Sequence, residues 1–528
     1  MIQITIDNQQ VEVPEGSTIL DAAQKLGIDI PTLCFLKKFP PNTSCMVCVV
    51  KVNHRPKLSP ACATKVEQDM RVESETGEIH QARQTALELL LSDHLGDCLG
   101  PCHVICPARM NIPLMIRQIA AGKLRDALVT VKNDIALPAV LGRICPAPCE
   151  KGCRRAARDD ALAICLLKRF VADIDLASEK PYLPPCKKDT GKKVAVVGAG
   201  PAGLAAAYHL RQYGHDCAIF DEREKPGGML RHGPDVNTLP PEVLDAEIAL
   251  IEKLGVKFHA NVKIASNPSL KDLLNDFDAV LLAVGQLQPE ADEHLGVPVG
   301  PHGLIADHKT FAAEIPGVFI AGAALRPTRL AVKALADGKA AACSIDQYFN
   351  SREIAGPEIP FNCSIGKLKD GEIDAFMTHV SSAPRHHPCP GPPAGFSPDQ
   401  AHKEALRCLH CDCRKPDECK LRLYAQKYQA QTNRFKDHRR TFEQQYQHPD
   451  LIYEPGKCIN CGICIQITAS AREKLGLTFI GRGFDVRVKV PFNHTIADGL
   501  THTAAACAAA CPTGALALKN TPPATWNP

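Results

Sequence analysis

The sequence predicts a multidomain chain of mixed α+β and α/β class, and three observations carry that expectation. Ile2, Ile4 and Ile6 alternate with polar residues, turn at Asp7-Asn8 and return through Val11 and Val13, the mark of a strand-turn-strand opening. In the middle, Lys193-Val-Ala-Val-Val-Gly198-Ala-Gly200-Pro201-Ala-Gly203 reads as a buried strand entering a glycine turn and an Ala-rich helix. Around that fingerprint stand 25 cysteines, most of them in tight groups. A chain of 528 residues outgrows a single core of about 250 residues, so several domains are expected.

In chain order the expected domains are 1–80, 81–185, 186–355, a linker or wrapping arm over 356–400, a Cys-rich module over 401–450, and 451–528. Ser17 or Thr18 is placed to cap a helix over Ile19–Leu26, Val66–Val72 returns to a strand, and Ala82–Leu91 forms a helix. Short helices separated by Cys-Pro corners follow as far as Phe170. From Lys193, the segments 194–197, 217–220, 279–283 and 318–320 read as buried parallel strands. Six prolines between Ser381 and Pro398 read as an arm rather than a helix.

Composition excludes several function classes. Lys plus Arg is 61 and Asp plus Glu 58, a formal charge of +3, and aromatic residues are 5%, which gives no case for a nucleic-acid partner. No run approaches the roughly 20 apolar residues of a membrane span. The polar stretch after Met1 carries no secretion segment, so a reducing, cytoplasmic setting is expected, with cysteines serving as thiolate ligands rather than disulfides.

The first group is Cys34-x10-Cys45-x2-Cys48-x13-Cys62. A close pair flanked by two distant sulfurs suits a loop wrapped around a small iron-sulfur rhomb, with zinc as the alternative. Together with the opening hairpin and the helix Arg83–Leu91 leading to His94, this section resembles the plant-type ferredoxin domain that opens the large iron-sulfur subunit of respiratory NADH dehydrogenase, NAD-linked hydrogenases and some formate dehydrogenases. The resemblance implies that these four cysteines hold one [2Fe-2S] cluster.

Next come His94-x3-Cys98-x3-Cys102-x3-Cys106-Pro107 and Cys145-x3-Cys149-x3-Cys153. Proline after a ligand cysteine keeps the corner from continuing as helix. From Cys98 to Phe170, including Asn111-Ile-Pro113, the chain resembles the helical two-cluster module of the glutamate synthase small subunit and of the amino-terminal part of dihydropyrimidine dehydrogenase. The likeness implies two [4Fe-4S] clusters, one on Cys98, Cys102 and Cys153 with His94 as a candidate donor, the other on Cys106, Cys145 and Cys149. The second lacks a clear fourth ligand. Cys165 is close in sequence but matches no family cysteine, and an oxygen or nitrogen donor stays open.

In the fingerprint, Gly198 makes the turn, Gly200 lets amides approach a pyrophosphate at the helix start beside Pro201, Gly203 permits close packing, and Asp221 is placed for a ribose hydroxyl. Gly227-Gly228-Met229 offers a second backbone approach, and Gly285, Gly322 and Ala323 stand on returning strands. The stretch resembles the FAD half of the glutamate synthase small subunit, which implies FAD. It departs from that family at Ala323, where an acidic residue is expected. Between Gly285 and Pro316 only about thirty residues remain, too few for the family's inserted NADPH domain.

Cys408-x2-Cys411-Asp-Cys413-x5-Cys419 offers four sulfurs for a cubane or for zinc, with His410 as a substitute donor. Cys458-x2-Cys461-x2-Cys464, with the remote Cys511-Pro512, resembles the long-gap ferredoxin-like cluster of the NADH dehydrogenase and formate dehydrogenase subunits. Cys186, Cys217, Cys343, Cys363, Cys389 and Cys507 read as structural, and His386-His387 as solvated. The total is FAD, one [2Fe-2S] and about four [4Fe-4S] clusters in an electron-transfer subunit of a multisubunit NAD(P)-linked oxidoreductase. Its expected partners are an NADH-oxidising flavoprotein, a catalytic subunit such as a formate dehydrogenase or hydrogenase, and a ferredoxin, without membrane insertion. A self-contained NAD(P)H:acceptor oxidoreductase and a zinc-bearing scaffold are the alternatives.

Overall fold

A computed structural model describes residues 1–519 apart from 54, 266, 288–294, 389–394 and 438. The chain folds into two units, each built from separated segments. The first comprises Met1–Leu99, Pro360–His379 and His410–Pro528, and the second Gly100–Ile359 with Val380–Leu409. The segment expected as one linker over 356–400 is therefore divided. Phe376 is buried in a stack with Phe442, 4.2 Å between ring centroids, within the first unit. Arg385 bonds Glu150 and the Ala161 carbonyl within the second.

The first unit opens with the strands β1 (Ile2–Ile6) and β2 (Gln9–Val13), antiparallel with Ile4 opposite Val11. β3 (Val49–Val52), β4 (Ser59–Pro60) and β5 (Arg71–Glu73) complete a sheet of order β2-β1-β5-β3-β4. Ile4, Ile6, Val11 and Val13 all bury the same face, which is why the alternation was legible. Thr18 caps the helix Ile19–Lys25 in a full capping box with Asp21. The helix expected from Ala82 begins a turn and a half earlier, at Gly77, because the Thr76 hydroxyl accepts from Ile79 N. The returning strand is shorter than expected and is confined to β5.

In the second unit, short helices lead to a parallel sheet. Its strands are β6 (Lys193–Val197), β7 (Asp216–Phe220), β8 (Lys257–His259), β9 (Ala279–Leu282) and β12 (Val318–Ile320), in the order β12-β9-β6-β7-β8. Every residue of β9 and β12 is buried, as a sheet covered on both faces requires. Between β9 and β12, the strands found among the described residues are the two-residue pair β10 (Val299–Gly300) and β11 (Gly303–Leu304). The helices Pro201–Gln212 and Ala331–Phe349 pack at backbone contact. A Cβ on Gly338 would stand 2.1 Å from the Ala202 carbonyl oxygen.

The chain then returns to the first unit with β13 (Leu451–Tyr453), β14 (Thr478–Ile480), β15 (Arg487–Lys489) and β16 (Leu516–Leu518), paired as β13-β16 and β14-β15. Among the described residues no helix is long and apolar enough to cross a membrane.

Candidate functional site

The fingerprint folds as a strand, a glycine turn and a helix. Gly198 leaves β6 at φ +105°, where an added Cβ would meet the Ala283 carbonyl oxygen at 2.4 Å. Gly203 lies even closer, with its Cβ position 2.0 Å from Gly198 O. Pro201 opens the helix, where its missing N–H costs nothing. Asp221 follows β7 and accepts from Ala199 N at 2.6 Å and Arg223 N at 2.9 Å, so one carboxylate braces the glycine loop. Gly227 N donates to Ala199 O at 2.9 Å, drawing the Gly227-Gly228-Met229 turn onto the same loop. Met229 is exposed at the start of a short helix.

Two features of this loop fit a dinucleotide such as FAD. Gly200 and Gly285, the latter at φ +87°, face open space where a Cβ would stand, so backbone amides are free to approach a pyrophosphate. Beside the 3-10 turn Gly322–Ala324, Arg326 bonds Asp337 at 2.8 Å, yet Arg326 Nε and Asp337 Oδ2 are buried without a hydrogen-bond partner. These two atoms supply polar character on the side where Ala323 has none.

The thiols fall into groups that differ in part from those expected. Cys34, Cys45, Cys48 and Cys62 are buried together, with Sγ atoms 3.3 Å apart in the pairs Cys34–Cys45 and Cys48–Cys62. Two sulfurs on one tetrahedral metal at about 2.3 Å stand roughly 3.7 Å apart, so each pair suits one iron of a rhomb. The Cys45 thiol pulls Cys34 down to about 5, and Cys62 likewise lowers Cys48.

Cys458, Cys461, Cys464 and Cys511 line one hollow with Tyr453 and Pro512. Gly462, at φ +72°, turns the loop into the helix Ile463–Ser470. Asn460 N points at Cys458 Sγ, 3.4 Å away. Burial pushes Cys458 and Cys461 up to about 12. Thr468 stands where a two-cluster ferredoxin has another cysteine. It is buried, donates to Ile465 O and accepts from Leu477 N. Cys507 is buried behind this group, its sulfur 3.9 Å from Cys464 O.

In the second unit Cys106, Cys145 and Cys149 share a hollow with Cys165, the nearby cysteine that the sequence left unassigned. Cys165 donates to Cys145 and lowers it to about 6, while burial raises Cys149 to about 12. Lys168, buried in the same wall, keeps its charge. Burial opposes it, but the thiolates of Cys165, Cys145, Cys149 and Cys106 raise its pKa. Cys165 was weighed from sequence but left unassigned, because it matches no family cysteine. The signal lay in its helical spacing to Lys168 on Ile164–Leu176.

The expected grouping of His94, Cys98, Cys102 and Cys153 spans the boundary between the two units. Cys98 belongs to the first unit, where Cys363 N donates to its sulfur at 3.4 Å. His94 is also in that unit, half-buried, with its buried Nδ1 lacking a hydrogen-bond partner. Cys102 and Cys153 lie in the second unit. There Arg155, two residues after Cys153, donates to the Arg407 carbonyl at 2.5 Å and so holds Cys408 in the same region. The expected quartet Cys408, Cys411, Cys413 and Cys419 spans the same boundary, with Cys411, Cys413 and Cys419 in the first unit and Cys408 in the second.

The remaining residues sort as follows. Cys363, expected to be structural, sits against Cys98. Cys217 is buried in the sheet, Cys186 is exposed, Cys343 is half-buried, and Cys389 lies outside the described residues. His386, expected to be solvated, is half-buried and bonds the buried Glu404 through its backbone N–H and ring. Among the described residues no three His, Cys, Asp or Glu side chains surround a single ion-sized point.

Comparison with known proteins matches residues 1–77 to a 2Fe-2S iron-sulfur cluster binding domain. Residues 94–180 match dihydropyrimidine dehydrogenase domain II, 4Fe-4S cluster, and 196–277 an NAD(P)-binding Rossmann-like domain. The NADP(+)-dependent formate dehydrogenase subunit beta of Moorella thermoacetica is 32% identical over 54% of this chain and 40% of its own. The NAD-dependent dihydropyrimidine dehydrogenase subunit PreT of Salmonella typhimurium is 38% identical over 35% and 45%, and the glutamate synthase [NADPH] small chain of Bacillus subtilis 36% identical over 34% and 36%. Over these parts of its length the chain is similar to iron-sulfur oxidoreductase subunits. One 2Fe-2S-type and one 4Fe-4S-type domain precede the dinucleotide fold, and the chain spans less than half the length of these relatives.

Proposed function

We propose that the chain is an electron-relay subunit of a multisubunit NAD(P)-linked oxidoreductase, holding FAD on the Gly198–Gly203 loop and iron-sulfur clusters on its thiol groups. One observation carries this reading. The helix Ala331–Phe349 serves both sites of the second unit, since Val332 lines the hollow of Cys106, Cys145, Cys149 and Cys165 while Gly338 packs on the fingerprint helix at Ala202. Those two positions are about 9 Å apart along the helix axis.

FAD supplies conversion between two-electron and one-electron transfer when bound. The protein's part is positioning. The Gly200 amide and the helix start that follows it would hold the pyrophosphate, and Asp221, tied to the loop by its bond from Ala199 N, would take the ribose side. Gly198 and Gly203 admit no side chain, so the loop cannot drift from the sheet. Lys168 offsets negative charge on the four thiolates around it.

The short β10–β11 connection leaves little chain for a nicotinamide domain, which favours hydride exchange on another subunit. The formate dehydrogenase beta and PreT relatives, both named as subunits of NAD(P)-dependent enzymes, support that setting. The test is anaerobic purification of the full chain with analysis of flavin, iron, sulfide and zinc. About one FAD, iron with matching acid-labile sulfide, and no bleaching by NADH or NADPH are expected. Bleaching by either nucleotide alone would establish a self-contained reductase instead, and stoichiometric zinc without sulfide would establish a scaffold.

A further inference from the structure

The first unit contains a fourfold thiol constellation that the cysteine spacing conceals. Cys98, Cys363, Cys413 and Cys419 are all buried, and they come from three segments of the chain. Backbone bonds stitch those segments together. Cys98 N donates to Cys363 O at 3.2 Å, Cys363 N points to Cys98 Sγ at 3.4 Å, and Cys413 N donates to Cys98 O at 3.3 Å. Asn362 accepts from Leu99 N, Asp97 from Ile365 N, and Arg422, just past Cys419, donates to Phe361 O. Cys419 lies close enough to Cys98, Cys413 and Cys363 for their charges to act on one another.

A single buried thiol is ordinary core. Four from remote segments, with the local backbone organised to converge on them, are not. The wall around them is cationic, since Lys457 is buried against Gly96 and interacts with Cys98 and Cys413, and Arg422 with Cys98. Lys457 is neutralised in part by Glu454 at 2.5 Å.

The constellation is also the end of a row. Lys415, two residues after Cys413, donates to the carbonyls of Ala508 and Cys511, and Leu421 N donates to Pro512 O. At another ligand position of the Cys458 group, Asn42 donates to Cys461 O at 2.5 Å, and the charge of Cys34 acts on Cys461. The Cys458 group therefore stands between the Cys34 group and the Cys98 constellation.

We propose that Cys98, Cys363, Cys413 and Cys419 bind a [4Fe-4S] cluster, the third station of a row that runs from the Cys34 group through the Cys458 group. The proposal rests on the iron-sulfur reading of the chain and assigns ligands that cross the expected motif boundaries. His94, half-buried in the same unit, lies outside the proposed ligand set.

The test uses the full chain, purified anaerobically, in four single variants: Cys363→Ser, Cys419→Ser, His94→Leu and Cys343→Ser. Cys363→Ser and Cys419→Ser are each expected to lose one cubane, about four iron and four sulfide per chain. In the dithionite-reduced state each should lose one [4Fe-4S] electron paramagnetic resonance signal while keeping the [2Fe-2S] signal, which reports that the first unit is folded. His94→Leu and Cys343→Ser should keep the full complement. Unchanged iron in both serine variants, or loss of a cubane from His94→Leu, would overturn the ligand set. Stoichiometric zinc in an otherwise iron-loaded chain, lost in Cys363→Ser, would overturn the cubane. A wild-type chain without iron and sulfide would instead defeat the relay reading as a whole.

Discussion

The second unit gathers Cys106, Cys145, Cys149 and Cys165 from one run of short helices, whereas the first joins Cys98 to Cys363 across 265 positions of sequence. Local gathering is set by corners such as Cys106-Pro107 and Pro148-Cys149, where proline fixes the backbone direction. Remote gathering depends on tertiary hydrogen bonds that close long loops, a cost that rises only slowly with loop length. The two units thus place similar chemistry on different foundations: rigid backbone in one, interlocked segments in the other.

Glycine substitutions put that contrast to its hardest test. A Cβ on Gly203 would meet a backbone oxygen, Gly198 O, at 2.0 Å, whereas one on Gly514 would meet a side-chain atom, Cys413 Sγ, at 2.3 Å. Backbone in a sheet-bound turn cannot yield, while a thiol can rotate. Gly203→Val is expected to cost about 3 kcal/mol or more and to abolish flavin retention. Gly514→Ala should cost less and act mainly on the cubane at Cys413. Thermal unfolding with flavin and iron analysis checks the order, and a Gly514→Ala effect larger than that of Gly203→Val would break the contrast.

A second effect, somewhat smaller, concerns Glu247. This buried carboxylate accepts from Ala139 N and Val140 N, both at 2.8 Å, at the start of the helix Pro138–Ile144 that leads into Cys145. Glu247→Ala would leave two buried donors unpaired, a loss of about 3 kcal/mol. Hydrogen exchange should speed up over residues 138–145 and stay unchanged over 496–503 of the first unit. Equal acceleration in both would show that the stability of the corner is not local.

The same local-against-remote division explains what the sequence revealed. The Cys34 and Cys458 groups, the glycine turn and the β1–β2 hairpin were legible because each depends on near neighbours: a two-residue gap, a φ that only glycine adopts freely, a period of two. Cys165 and Cys363 were not. Each is a lone cysteine in its own stretch and becomes part of a group only when distant backbone brings it there. Cys413 and Cys419 show the converse, since nearness in sequence to Cys408 and Cys411 suggested a quartet and said nothing of Cys98 and Cys363, which only the fold brings into the same unit. The division of the 356–400 segment was hidden likewise, because six prolines describe local stiffness and say nothing of where the two halves dock.

Acidity separates the units by the smallest expected effect, and with opposite sign. Burial raises Glu247 from 4.5 to about 7 against the pull of its two amide donors. Its folded value exceeds its unfolded one, so its contribution is greatest below about pH 4.5 and is lost as pH rises through 7. Between pH 5 and 8 this amounts to a decline on the order of 2 kcal/mol. Glu473 in the first unit behaves conversely. Burial opposes its ionisation, but Thr501, His502 N and Thr503 donate to it and hold it at about 2. Its contribution is therefore present above pH 4.5 and lost as pH falls toward 2. Hydrogen exchange across this range should show residues 138–145 loosening as pH rises from 5 to 8, with residues 501–503 steady there and loosening only below pH 4, once rates are corrected for intrinsic pH dependence. Glu247→Gln should flatten the first trend and leave the second intact. A parallel pH response in both segments would mean that neither carboxylate governs its own unit.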